Sequence, residues 1–218
     1  WSDGQEVVFA SELDALLKGL SKPPELDREG LSLYLGYRAV PAPRTLWSNV
    51  RKLRPGHALT WTHGDSVPSD MDWGPEPPDP DPSLTFAESA HLLDEALSGA
   101  VDLALVADVP VGAYLSGGLD SSLIAAFVQR RTKEPLRTFC ASFGDDAADE
   151  SAWAREVSQH LGTVHSDVLV SSTDFLDQWP KLSRLRGAPV SEPADIAVHR
   201  LAVEAGQHQI SVDDNEPN

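Results

Sequence analysis

Cysteine and cations are what this chain has least of. Its 218 residues include one cysteine, Cys140, and one methionine, Met71. A single thiol excludes an internal disulfide, and with it the disulfide-stapled secreted scaffolds, so the cytoplasm is the expected compartment. Lys and Arg number 17 against 34 Asp and Glu, a formal net charge of −17. A surface that acidic repels nucleic-acid backbones and anionic lipid headgroups, and neither is expected as a partner. No apolar run approaches the length of a membrane span, and no charged-then-apolar leader opens the chain. The histidines, at positions 57, 63, 91, 160, 165, 199 and 208, show no metal-ligand spacing with Cys140 or with one another. The two commonest phosphate patterns, G-x-x-x-x-G-K-[ST] and G-x-G-x-x-G, are also missing. Residue 1 is Trp rather than Met, which reads as a piece of a longer protein.

What is present is organised. Hydrophobic residues make up 41% of the chain, enough for a real core. The pattern predicts a strand at Val7-Val8-Phe9-Ala10 and a short helix around Leu13, Leu16 and Leu17, ended by Pro23-Pro24. Leu26 to Tyr37 has helical spacing, and Pro41 and Pro43 break it. A basic turn, Arg51-Lys52-Leu53-Arg54, leads into an expected strand from Ala58 to Thr62. Asp65 to Ser83 carries prolines at 68, 75, 77, 78, 80 and 82 and reads as an exposed, extended linker.

Beyond the linker the signals become regular. Thr85-Phe86-Ala87-Glu88 is a capping box. Phe86, Ala90, Leu93, Leu97, Val101 and Leu105 follow at helical spacing. Strands are expected at Val109–Leu115, Leu136–Phe143, Val164–Val170 and from Gln209 to Val212. Helices are expected at Leu123–Val128, Asp149–Leu161, Phe175–Leu185 (with Pro180 as a kink) and Pro193–Ala205. In the Asp149–Leu161 helix, Trp153, Val157 and Leu161 share one face. Strands alternating with helices predict a parallel, doubly wound sheet, whose ligands bind at the carboxyl ends of strands.

One such end carries Ser116-Gly117-Gly118-Leu119-Asp120-Ser121-Ser122. A helix N-terminus has unpaired N–H groups and a positive dipole end, a ready anion cradle. Two glycines let a phosphate approach the backbone, three serines add hydroxyls, and Asp120 offers a carboxylate to a metal. Nucleotide binding is the expectation. Elsewhere plainer roles are expected. Asp149 and Glu150 read as helix-capping acids, His165 as a structural imidazole and Cys140 as a buried thiol. Arg51 to Arg54 reads as a solvated turn or domain contact, and Arg184 and Arg186 suit a helix C-terminus.

The loop resembles the pyrophosphate loop of the ATP pyrophosphatase superfamily. From Val7 to about Ala205 the chain resembles the glutamine-dependent asparagine synthetase family within it. Carrying this are Phe9 to Leu16, Tyr37 to Leu46, Lys52-Leu53-Arg54-Pro55-Gly56-His57 and, most specifically, Val106 to Leu115 running into the loop. Thr138 to Phe143, Asp149-Glu150-Ser151, Leu161 to His165 and Glu192-Pro193-Ala194-Asp195 keep the register. The resemblance implies a doubly wound sheet of the ATP pyrophosphatase (adenine nucleotide alpha hydrolase-like) type, with a remnant of an N-terminal glutaminase domain. It divides the chain into residues 1–22, the end of that domain, 23–84, a connection and linker, and 85–218, a partial synthetase domain. It implies ATP and Mg2+ as cofactors, with aspartate and ammonia, or glutamine through a further domain, as substrates. Leu115 and Ala141 would line the adenine pocket. Ser116, Gly117, Gly118, Ser121 and Ser122 would hold pyrophosphate, and Asp120 would bind the metal. No catalytic residue is assigned, and a homodimer is compatible with the full-length family.

Two departures bound these expectations. The family's glutaminase nucleophile is an N-terminal cysteine, and Trp1 stands here. Its second motif, S-G-x-G-x-D-E, would follow the fourth strand. Here Asp213, Asp214 and Glu216 keep acids without the glycines. Neither glutamine hydrolysis nor asparagine formation is therefore expected of this chain alone. Two alternatives stand beside the ligase reading: a non-catalytic remnant serving as an interaction module, and a β-lactam synthetase-like enzyme with a different acceptor.

Overall fold

A computed structural model describes residues 1–3, 5–62, 65, 68–74, 76, 78–144, 149–208 and 211–212. His63, Pro75, Pro77, Gln209, Ile210 and the tail acids Asp213, Asp214 and Glu216 lie outside the described residues. The chain forms two compact units: residues 1–80 with 177–192, and residues 81–176 with those from Pro193 onward.

The first unit holds α1 (Leu13–Gly19), α2 (Arg28–Tyr37) and an antiparallel hairpin of β1 (His57–Thr60) and β2 (Ser69–Asp72). Asp27 caps α2, its carboxylate accepting from the Glu29 N–H. Leu16, Val40, Leu46, Val50 and Val190 are buried in this unit. Two expectations fail here. Val7 makes only an isolated bridge with Ser2, and no strand runs through Val8 to Ala10. Phe9, the residue that suggested one, is solvent-exposed. The proline-rich stretch is not all linker, because Ser69–Asp72 pairs with β1 from His57↔Asp72 to Thr60↔Ser69. No proline occupies those four positions, so each can join a ladder.

The second unit holds α3 (Phe86–Ala104), β3 (Val111–Tyr114), α4 (Leu119–Gln129), β4 (Arg137–Ser142), α5 (Ser151–Leu161), β5 (Val164–Leu169), the start of α6 (Ser172–Arg186, in the first unit from Asp177), α7 (Ala194–Gln207) and β6 (Ser211–Val212). The strands form one parallel sheet in the order β5-β4-β3-β6. The expected parallel α/β sheet is present, including a fourth strand beside β3. Helices cover both faces, as buried parallel strands require. On one face Val101, Ala125, Phe127, Val128 and Ala154 from α3, α4 and α5 pack with Leu115, Leu136 and Cys140. On the other, Leu201 and Ala205 of α7 pack with Phe139 and Val168.

The capping box at Thr85 forms with both of its hydrogen bonds. The α3 stripe is buried only in its second half. Val101 is buried and Leu97 and Leu105 pack beside it, whereas Phe86 and Leu93 face solvent. In α5, Val157 and Leu161 of the expected face pack against the core, but Trp153 does not. Trp153 is 65% exposed, and Ser151, Ala154 and Ser158 are the buried residues. Their spacing of three and four follows the helix period, and small side chains let α5 lie close to what it covers. Pro180 sits inside α6 and has no N–H to give the Leu176 carbonyl, beside the point where the two units divide the helix. Among the described residues no helix is long and apolar enough to cross a membrane.

Candidate nucleotide-binding site

The site is a turn between β3 and α4. Leu115 extends the parallel register, its N–H donating to the Phe139 carbonyl at 2.8 Å. Its side chain is 1% exposed and belongs to the core on the α4 side. The chain then reverses through Ser116, Gly117 and Gly118.

The two glycines are not equivalent. Gly117 has φ +80, in the left-handed region. A Cβ there would lie 2.6 Å from the Ala154 nitrogen and 2.6 Å from both the carbonyl carbon and Cβ of Trp153. The turn is therefore closed down on the first turns of α5. Gly118 has extended dihedrals, φ −68 and ψ 164, and an added Cβ would meet only Ser116 Oγ at 3.2 Å. Gly118 is the N-cap of α4 and supplies no side-chain cap. The first N–H groups of α4 thus have no intrahelical acceptor and no capping side chain.

Serines hold the turn's shape. Ser116 Oγ lies 3.0 Å from Ser121 Oγ and accepts from the Gly118 N–H at 3.2 Å. Ser121 Oγ accepts from the Ser116 N–H and donates to the Gly118 carbonyl, both at 3.3 Å. Ser122 is different: its Oγ is buried and finds no hydrogen-bond partner among the described residues. Asp120 stands exposed in the first turn of α4. Ser116, Gly117, Gly118, Asp120, Ser121 and Ser122 are thus gathered on one turn. Leu115 and Ala141 are on adjacent strands, but their side chains belong to clusters on opposite faces of the sheet.

A polyanion fits this arrangement. The turn offers open N–H groups, a dipole's positive end, a buried hydroxyl without a partner and backbone that a Cβ would block. Among the described residues no group of three or more His, Cys, Asp or Glu is placed to hold a metal ion. One carboxylate at Asp120 still suits Mg2+, which commonly takes one or two carboxylates and completes its shell with water and substrate phosphates.

The plainer residues singled out in the sequence behave as their types dictate. Cys140 is buried, and burial pushes its thiol up to about 11. His165 Nδ1 lies 2.8 Å from Thr138 Oγ1, and desolvation lowers the imidazole's pKa. Lys52 donates to the Val40 carbonyl, and Arg54 pairs with Asp70 at 2.6 Å, both within the first unit. Arg184 and Arg186 close α6. Glu150 is the N-cap of α5 and its side chain makes no capping bond; Asp149, one residue earlier, accepts from the Ser151 N–H at 2.8 Å. Its reach to β4 was not legible in the sequence. Asp149 Oδ2 also accepts from Ser142 Oγ at 2.7 Å and from the Phe143 N–H at 2.9 Å. These bonds, led by that from Ser142, hold its carboxyl well below the usual carboxylate range. The available signal was Asp-x-Ser at a helix start, which announces a cap and not a partner seven residues upstream.

Two family models match successive parts of the chain. The family model for asparagine synthase matches residues 92–212, and that for a glutamine amidotransferase domain matches residues 1–71. The chain is 29% identical to glutamine-hydrolyzing asparagine synthetase 1 of Bacillus subtilis over 93% of its own length and 32% of that protein. It is 28% identical to a putative glutamine-hydrolyzing asparagine synthetase of Methanocaldococcus jannaschii over 92% of its length and 39% of that protein. An NH3-dependent NAD synthetase from Campylobacter jejuni aligns with a TM-score of 0.40 and 15% identity, over 56% of this chain and 54% of that one. The chain thus spans about a third of the length of the curated relatives it matches. With a family model matching more than half of its residues, the chain belongs to the asparagine synthase family.

Proposed function

We propose that the turn from Ser116 to Ser122 grips the phosphates of ATP in an amide-forming ligase that activates aspartate for attack by ammonia. The observation carrying this is the state of the turn: Gly117 closed on α5, α4 uncapped, and the Ser122 hydroxyl buried without a partner. In the proposed reaction, a carboxylate oxygen of aspartate attacks the α-phosphorus. The bond to pyrophosphate breaks, and an acyl-adenylate forms. Ammonia nitrogen then attacks the acyl carbon, AMP leaves, and the nitrogen loses a proton to solvent to give the amide. Ser116, Ser121, Ser122 and the first N–H groups of α4 would take up charge as it builds on pyrophosphate. Donors fixed in advance need no reorganisation at that moment. Asp120 would hold Mg2+, which supplies further charge neutralisation at the departing phosphates. Leu115 and Ala141 would contribute to the adenine pocket from adjacent strand ends. With the Leu115 side chain buried, its contribution would come from the main chain.

The same reading assigns residues 1–22 to the end of a glutaminase-like domain, 23–84 to a connection and 85–218 to synthetase. Ammonia would be drawn from glutamine in the complete enzyme. Calorimetric titration of the chain with ATP and Mg2+ tests the grip. Saturable binding that weakens without Mg2+, and loses its Mg2+ dependence in Asp120→Asn, is the expected result. An absence of binding at millimolar nucleotide would overturn the reading.

A further inference from the structure

Asp149 sits where the end of β4 meets the start of α5. One carboxylate oxygen accepts from Ser142 Oγ and the Phe143 N–H at the end of β4. The other accepts from the Ser151 N–H in the first turn of α5. The next residues of α5, Trp153 and Ala154, are the ones against which Gly117 is closed. Ser142 directly follows Ala141. A single side chain therefore ties the strand end assigned to adenine to the helix that backs the phosphate turn. Arg155 fastens the same part of α5 to β5, donating to Asp167 at 3.1 Å and to Ser151 Oγ at 3.2 Å. Ser151 and Ala154 are both buried, so this part of α5 has little freedom to adjust if one tie is cut.

We infer that Asp149 is a positioning residue for the nucleotide site, setting the conformation of the turn at Gly117 through the placement of α5. It touches no proposed ligand. Its action is to hold α5 at the distance where Gly117 must adopt a left-handed conformation. Because the gap beside Gly117 is closed by α5 backbone, a small displacement of the helix changes the space in which the turn can settle. A carboxylate suits the role because it accepts on two sides at once, and charge-assisted bonds are stronger than neutral ones. Asparagine has one acceptor oxygen and can serve one side only.

This inference rests on the proposed nucleotide role for its consequence, but its mechanical part can be read without nucleotide. The experiment compares the wild-type chain with Asp149→Asn, Asp149→Ala and Ser142→Ala, the last being the mildest and so the safeguard should Asp149 variants fail to fold. Amide hydrogen exchange is measured without ligand. Each variant is expected to exchange faster at residues 116–122 and at the start of α5, with β5 and α7 unchanged. ATP–Mg2+ titration is expected to show affinity about tenfold weaker for Asp149→Ala, the scale of one lost charge-assisted hydrogen bond. In a double-mutant cycle read by chemical denaturation, Gly117→Ala with Asp149→Ala should lose less stability than the two single losses added together, because both act on one contact. Faster exchange spread evenly over the unit, or a turn whose exchange does not change in any variant, would overturn the positioning role. Wild-type chain that exchanges as expected but binds no ATP would instead remove the proposed function and leave the tie between Asp149 and the turn standing.

Discussion

Two glycine turns, one in each unit, start from the same local chemistry and end differently. Gly56 precedes β1 with φ +69, and Gly117 follows β3 with φ +80. Both lie against foreign backbone: Gly74 beside Gly56, and Trp153 and Ala154 beside Gly117. Around Gly56 the polar groups are used up internally. Its carbonyl accepts from the Trp73 and Gly74 N–H groups, and Asp72 accepts from Gly74 as well. Around Gly117 they are not, since α4 has no side-chain cap and Ser122 Oγ is buried without a partner among the described residues. A positive-φ glycine therefore marks a tight approach in both places. Only the groups left open beside it distinguish a ligand cradle from the corner of a hairpin.

Substitutions can break that comparison, the most severe first. Gly117→Ala forces an L side chain into the left-handed region and into α5 backbone at 2.6 Å. A loss of about 2–4 kcal/mol is expected, together with nucleotide binding. Chemical denaturation and calorimetry would show both, and retained binding would separate the turn's shape from its proposed role. Gly56→Ala meets a milder contact, 3.1 Å to Gly74 Cα. It should cost about 1–2 kcal/mol and leave ATP affinity unchanged. A drop in affinity there would erase the distinction drawn between the two turns.

Ser122→Ala sharpens the comparison because its two effects have opposite signs. Removing a buried hydroxyl that lacks a partner should leave stability unchanged or raise it by about 1 kcal/mol. ATP–Mg2+ affinity should fall several-fold, as expected when a group is held for a ligand at the expense of stability. Parallel losses of stability and affinity would mean that the hydroxyl serves the fold. The smallest effect concerns acid. Asp149 is held below its ordinary value of 3.8, so its stabilisation is fully present above that pH and drains away as pH falls through the lower folded value. As pH falls from 4 towards 2 the wild type should lose more thermal stability than Asp149→Asn. Equal losses would show that the carboxylate does not carry these bonds.

Most of the second unit was legible from local pattern. The capping box at Thr85, the strand from Val111 and the turn into α4 each depend on dihedral preferences and periods contained within about ten residues. The buried thiol at Cys140 followed from its apolar neighbours in the same strand. Misreadings arose where a residue's state depends on what arrives from elsewhere. Trp153 has the right spacing for a core face, yet Ala154 faces the core because α5 must come close to Gly117. Ser69–Asp72 reads as part of a proline-rich linker, yet its partner strand twelve residues upstream recruits it into a hairpin. Phe9 has strand chemistry but no neighbouring strand to pair with.

The sequence by itself determined the alternation of strands and helices, the position of the glycine-serine turn and the family to which the chain belongs. These are properties of short contiguous segments, and glycine, proline and apolar period act at that range. Tertiary structure alone decided that Gly117 rather than Gly118 is the position a side chain would block, that the Ser122 hydroxyl has no partner among the described residues, and that Asp149 bridges β4 to the helix behind the turn. Each of those depends on backbone brought alongside by parallel pairing of β3 with β4, and no short segment names the distant segment that will lie against it.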